Sequence, residues 1–250
     1  MFEVISSQLD EVERACNVKV LYAIESGSRS WGFASPDSDY DVRFVYVRTV
    51  DDYLALNPTS DVINWRLDET LDIVGWDLRK FLLLLRKSNP SAHEWIVSPI
   101  VYREDPRFAV VRDIAPDAFN PKACLHHYLG MAKSNVDHLQ AEQVKLKKYL
   151  YVLRCLFSVE WILQRGSFPP QLFAELRPLI SDDALQAAID EVLVWKTSTQ
   201  ESDLHARIPV LDSWIQAEFN RLTDAVAQVQ PRDPVSFDVL NEVFLSIVKS

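Results

Sequence analysis

The chain is short of cysteine, of long apolar runs and of positive charge, and each shortage removes a class of function. Its three cysteines (Cys16, Cys124, Cys155) lie far apart, are odd in number and form no Cys-x-x-Cys. They therefore read as reduced, mostly buried thiols of a cytoplasmic protein, not as a disulfide framework. The longest apolar run, Phe81-Leu82-Leu83-Leu84-Leu85, falls far short of the roughly 20 residues that a bilayer requires, so no membrane partner is expected. Met1 to Asp10 carry neither a basic region nor a long apolar segment, and no signal peptide is expected. A formal net charge of −10 argues against a protein that coats nucleic acid in general. Internal repeats, low-complexity tracts and coiled-coil heptads are also missing.

What remains has globular proportions. A chain of 250 residues, 48% hydrophobic and 25% charged, can bury a sizeable core as one large domain or two modest ones. The charge is unevenly spread. Residues 1–120 hold 20 acidic and 13 basic side chains, residues 121–180 hold 4 and 8, and residues 181–250 hold 12 and 5. The middle segment alone is basic, and a polyanion would most naturally meet the protein there.

The stretch that organises the rest is Ser26 to Val47, S-G-S-R-S-W-G-F-A-S-P-D-S-D-Y-D-V-R-F-V-Y-V. An apolar strand, Val18 to Ile24, runs into Gly27-Ser28. After ten intervening residues come Asp39-Tyr40-Asp41 and a second apolar strand, Tyr40 to Val47. A Gly-Ser turn leaving a strand offers free backbone N–H groups and a hydroxyl to an anionic phosphate. Asp39 and Asp41, two apart on a strand, project from one face with about 6–7 Å between Cα atoms. They are hard oxygen ligands placed for one or two divalent cations. The bland alternative is a glycine turn beside a solvated Asp-rich loop, for which Pro36-Asp37-Ser38 is good turn chemistry.

This arrangement resembles the signature of the DNA polymerase β-like nucleotidyltransferases. The fuller string from Gly27 to Arg43 is similar to a narrower bacterial family of nucleotidyltransferases associated with RNA repair. The resemblance covers residues 20–47 most specifically, and roughly 71–102 and 128–170 more loosely. It implies a magnesium or manganese site at Asp39 and Asp41, and phosphate binding by Gly27 and Ser28 with Arg29 as an auxiliary cation. It also implies a third carboxylate on a strand that leads within a few residues into a helix. Asp72, which interrupts the apolar run Leu71 to Trp76, fits that position. Asp77 competes for it, but stands where a helix N-cap belongs.

Periodicity supplies the rest. A first amphipathic helix is expected over 2–16, a short turn or helix over 28–33, and a hairpin from Val62 to Trp76. Helices follow at 78–88 and 91–97, and residues 101–115 read as a loop with a short helix. His93 and Glu94 read as packing residues, because no other ligand spacing converges on them, and His126, His127 and His138 as surface or core histidines. Beyond Asn120-Pro121 no strand alternation is seen. Helices are expected at 122–138, 141–165, 171–179, 182–196, 204–229 and 234–249.

On the second of these, Lys147, Tyr151 and Arg154 share a face with Lys148 beside them. The string resembles the narrow family's second recognisable stretch, which implies cations for a triphosphate and an aromatic for base or sugar. Its alternative is a solvated basic face with aromatics packed beneath.

The expected fold is α/β (α+β). A small mixed sheet with flanking helices, residues 1–118, would be the nucleotidyltransferase domain. An all-helical domain, residues 119–250, would follow, with the site in the cleft between. The implied reaction moves a nucleoside monophosphate from a nucleoside triphosphate to a hydroxyl, with an RNA or tRNA end as the favoured acceptor. The alternatives are a protein hydroxyl as acceptor, or a nucleotide- or RNA-binding module with an impaired site.

Overall fold

The structure, a computed structural model, describes residues 1–198 and 203–250. They form two compact units. The first comprises Met1–Ser30, Asp39–Phe119 and Asp233–Ser250; the second comprises Trp31–Ser38 and Asn120–Arg232.

In the first unit, helix α1 (Phe2–Cys16) buries Ile5, Leu9 and Val12, the apolar stripe that its spacing dictates. It ends at Asn17, held in the left-handed region at φ 51°. Strand β1 (Lys19–Glu25), the one-turn helix α2 (Gly27–Ser30), β2 (Tyr40–Val47) and the short helix α3 (Val50–Leu54) follow. Strands β3 (Val62–Leu67) and β4 (Leu71–Asp77) are the expected hairpin. They lead into α4 (Leu78–Arg86), α5 (Pro90–Ile96), β5 (Val101–Glu104) and α6 (Ala109–Ala118). The sheet order is β3-β4-β2-β1-β5. Strand β2 pairs antiparallel with β1 and parallel with β4, while β3 and β5 lie antiparallel at the edges. The mixed sheet flanked by helices is thus present.

Residues 101–104 are a correction to the expected loop. Val-Tyr-Arg-Glu is too short, with three half-buried residues and an exposed fourth, to show the two-residue alternation by which strands are found.

The sheet is covered on both faces. Val42, Phe44 and Tyr46 of β2 pack with Ile63, Leu71, Ile73 and the α1 stripe. Val45 and Val47, on the other face, join Leu78, Phe81, Leu82, Leu85 and Trp95 of α4 and α5. Leu240, Val243 and Ile247 of the last helix, α12 (Phe237–Val248 in chain order), complete that second cluster. Arg86 fastens the approach to this helix, donating from Nε to the Val235 carbonyl at 3.0 Å.

The second unit contains α7 (Pro121–Val136), the strand β6 (Gln143–Lys145), α8 (Leu146–Arg165), α9 (Phe173–Leu176) and α10 (Asp183–Ser198). Strand β7 (Leu204–Ala206) and α11 (Pro209–Ala227) complete it. Helix α8 ends at Gly166, left-handed at φ 66°. The β6–β7 ribbon is a second correction, since only helices were expected beyond residue 120. Each strand has three residues, of which Val144 alone is a buried apolar position, so no periodicity betrays them. Helices α8 and α11 accordingly begin about five residues later than the sequence suggests.

Two consequences can be measured. Gly75 of β4 lies under the buried Phe44 ring, and a Cβ there would meet ring carbons at 2.2 Å. Gly75→Ala should lower unfolding free energy by about 1–3 kcal/mol, the usual cost of overpacking, in a denaturant titration. His93, buried on α5 against the Phe119 ring, has its pKa pushed down by burial to about 4 from an ordinary 6.5. Its contribution is intact above pH 6.5 and is lost as pH falls through 4, because the unfolded chain binds the proton first. Relative to His93→Gln, the wild type should lose stability across that window, by up to about 3 kcal/mol.

Candidate active site

The polar end of the sheet is assembled where β1 stops. Ser26 donates its N–H to the Asp41 carbonyl at 2.8 Å. The Asp41 N–H does not continue the ladder; it donates to Glu25 Oε1 at 3.0 Å. The chain then turns at Gly27, with φ +63°, into α2, where Ser28 is buried and Ser30 Oγ donates to the Gly27 carbonyl at 2.9 Å. A Cβ on Gly27 would stand 2.0 Å from Asp41 Oδ2. The aspartate carboxylate therefore rests directly against the backbone of the Gly-Ser turn, a contact that only glycine permits.

Asp41 and Asp72 are register partners in the parallel pair β2/β4. Between them lies Arg43, two residues along the same face of β2. Its Nη2 donates to Asp41 Oδ1 at 2.9 Å and to Asp72 Oδ2 at 2.7 Å. Its Nη1 donates to the carbonyls of Asp72 (2.9 Å) and Val42 (3.2 Å). Asp39 stands just ahead of β2, with its carbonyl accepting from Arg29 Nε at 3.0 Å. The Arg29 guanidinium lies 3.9 Å from the centroid of the Tyr40 ring. Thus Gly27, Ser28, Arg29, Asp39, Asp41 and Asp72 come together at one end of the first unit.

Two residues of this end were not singled out from the sequence. Glu25 is fully buried and accepts the Tyr102 hydroxyl on Oε2 at 2.7 Å, besides the Asp41 N–H on Oε1. Burial pushes its carboxyl up to about 7, against the lowering effect of those two donors. Burial, then the bond to Glu25, raises the Tyr102 hydroxyl in turn. The one signal in the sequence was an acidic residue closing an otherwise apolar strand immediately before the Ser26-Gly27 turn.

Asp77 caps α4, accepting the Arg79 N–H at 2.8 Å and the Tyr53 hydroxyl at 2.9 Å. The first bond is the helix cap, and the second ties that cap to α3.

In the second unit, Tyr151 packs edge-on against Trp31, with ring centroids 5.3 Å apart. The buried Arg154 guanidinium lies 4.4 Å from the centroid of the same indole. Lys147 is half-buried, and Lys148 donates to Asn135 Oδ1 at 3.1 Å. Burial first, and then Lys147 and Lys145, lower the Lys148 pKa. The buried Lys196 donates to Ser35 Oγ at 3.0 Å, so the Trp31–Ser38 segment of the motif is held by a cation on α10.

Carboxylate oxygens from two adjacent strands are the donor set that a hard divalent cation takes. In the structure those of Asp41 and Asp72 are engaged by Arg43. Among the described residues no group of three or more His, Cys, Asp or Glu side chains is gathered around one point suited to a metal. The ligand chemistry fits; the guanidinium stands where the oxygens converge.

The contact between turn and carboxylate can be tested alone. Gly27→Ala combines strained backbone with displacement of Asp41, and should cost about 1–3 kcal/mol of stability by denaturant unfolding. Ser26→Ala, one residue earlier with ordinary geometry, should cost less.

The comparisons with known proteins cover nearly the whole chain. The family model RlaP, described as RNA repair pathway DNA polymerase beta family, matches residues 1–246. A Bacillus subtilis (strain 168) protein named "Uncharacterized protein YcgL" is 41% identical over 248 residues, which is 98% of this chain and 95% of that protein. The Gly-Ser turn lying against an aspartate of the neighbouring strand is therefore found in a chain that belongs to the RNA repair pathway DNA polymerase beta family.

Proposed function

We propose that the protein is a metal-dependent nucleotidyltransferase that transfers a nucleoside monophosphate from a nucleoside triphosphate to an RNA end, tRNA included. The observation that carries this reading is the placement of Asp41 and Asp72 side by side on β2 and β4, with the Gly27-Ser28 turn against Asp41. Membership of the family supports the reaction class and the RNA acceptor. In the reaction, an acceptor hydroxyl releases its proton to solvent and its oxygen forms a bond to the α-phosphorus. The bond from that phosphorus to the bridging oxygen breaks, and pyrophosphate leaves.

The chain's own groups divide the work. The Ser28 hydroxyl and the backbone N–H groups of the α2 turn bind phosphate oxygens, with Arg29 adding positive charge. Asp39, Asp41 and Asp72 would hold Mg²⁺ or Mn²⁺, which supplies charge neutralisation at the phosphates and acidifies the attacking hydroxyl. Asp72 orients that hydroxyl. Glu25 holds Asp41 from behind through its backbone N–H. Lys147, Lys148, Tyr151 and Arg154 belong to the same proposal as nucleotide-binding groups, and Lys147→Ala and Lys148→Ala should raise KM for the nucleotide.

The test is label transfer from each α-labelled nucleoside triphosphate, with Mg²⁺ or Mn²⁺ and total RNA. Label on RNA with wild type, lost at least a hundredfold in Asp41→Ala and Asp72→Asn, is expected if the metal carboxylates supply their usual several kcal/mol. Asp77→Asn should keep transfer, apart from a loss of stability. Label on polypeptide would replace the RNA acceptor by a protein hydroxyl. Nucleotide binding without transfer to any acceptor would overturn the reaction in favour of a binding module.

A further inference from the structure

Asp41 and Asp72 face one another across adjacent strands, an arrangement in which two carboxylates repel. One nitrogen of Arg43 answers both, and its partner nitrogen is tied to two main-chain carbonyls. The three side chains are about equally withdrawn from water, at 19%, 24% and 21% exposure for Arg43, Asp41 and Asp72. This is not a loose surface ion pair. The guanidinium is locked by four hydrogen bonds at the point where the oxygens of the pair converge. Arg43 also has no other carboxylate partner among the described ion pairs.

We propose that Arg43 is the internal counter-ion of this pair, holding the two carboxylates together in the cation-free protein and yielding its place when a divalent cation arrives. The inference rests on the reading of Asp41 and Asp72 as cation ligands, and adds that the cation must compete for them. A positive charge within hydrogen-bonding distance of both ligands opposes a second cation at the same oxygens, and the opposition is strong where water is partly excluded. The same arginine keeps the pair from springing apart when no cation is bound. The carboxylates are therefore preorganised for a cation whose affinity the arginine lowers.

The experiment is Mn²⁺ titration of the full chain by calorimetry, without nucleotide, paired with thermal unfolding in chelator and in excess Mn²⁺. Arg43→Gln should bind Mn²⁺ about tenfold or more tightly than wild type, since a unit charge has been removed from the ligand pair. It should unfold at lower temperature than wild type in chelator, and the gap should close in Mn²⁺, where the cation replaces the guanidinium. Arg43→Lys keeps the charge without the fork that reaches both carboxylates, and should fall between; it serves if Arg43→Gln does not fold. Equal or weaker Mn²⁺ binding in folded Arg43→Gln, or in Arg43→Lys, would overturn the inference while leaving the ligand assignment standing, provided that Asp41→Asn and Asp72→Asn abolish binding to the wild-type sequence. Mn²⁺ binding that survives those two substitutions, or no binding by wild type and arginine variants alike, would remove the ligand assignment and the inference with it.

Discussion

Parallel pairing of β2 with β4 is the constraint on which the polar end of this molecule depends. It places residue 41 opposite residue 72 and therefore sets two acids against each other. An antiparallel neighbour would have run the β4 acid away from the Gly-Ser turn. Parallel pairing carries it to the same end of the sheet as the start of β2. The mutual repulsion this creates is resolved locally by Arg43, which the two-residue strand repeat puts on the same face as Asp41. The same face of β2 turns apolar farther along, at Val45 and Val47, and there α4 and α5 cover it. One strand thus carries a charged end and a core end on a single face, and the change between them marks where the site stops.

The backbone around that pair is held by side chains as well as by ladder bonds. Glu25 takes the Asp41 N–H, Tyr102 of the edge strand β5 takes up the other oxygen of Glu25, and Ser98 Oγ donates to the Glu25 carbonyl at 2.7 Å. A buried carboxyl with donors on both oxygens satisfies the polar groups that a strand end would otherwise expose. It also ties residues 98–102 to the motif, although that segment looks like ordinary loop in the sequence.

Much of the first unit was legible because its signals are periodic or chemically peculiar. The α1 stripe of Ile5, Leu9 and Val12, the alternation in β2, and the Asn89-Pro90 and Asp77 caps each announce themselves in a few residues. What was not legible depends on residues distant in sequence. Strands of three or four residues, such as β5, β6 and β7, exist only because a partner strand supplies their hydrogen bonds. Asp72 was picked out by its place before a helix, but its register with Asp41, and the guanidinium shared between them, follow from a parallel pairing that no local pattern encodes. Glu25 looked like the end of a strand; its partners lie 16 and 77 residues away in sequence.

The last helix has a further meaning for how the molecule is made. Residues 233–250 pack into the first unit, and Leu240, Val243 and Ile247 close a cluster that begins at Leu21. A chain emerging from the ribosome at about 5–20 residues per second presents the five strands of the sheet early, and this helix only after the helical unit. During synthesis of the whole helical unit, the side of α4 that α12 covers waits open. Apolar side chains of α4 such as Leu82, which lies beside Leu240 and Phe244 of α12, face solvent through that interval. That apolar side is therefore open to misassociation for as long as residues 120–232 are being made.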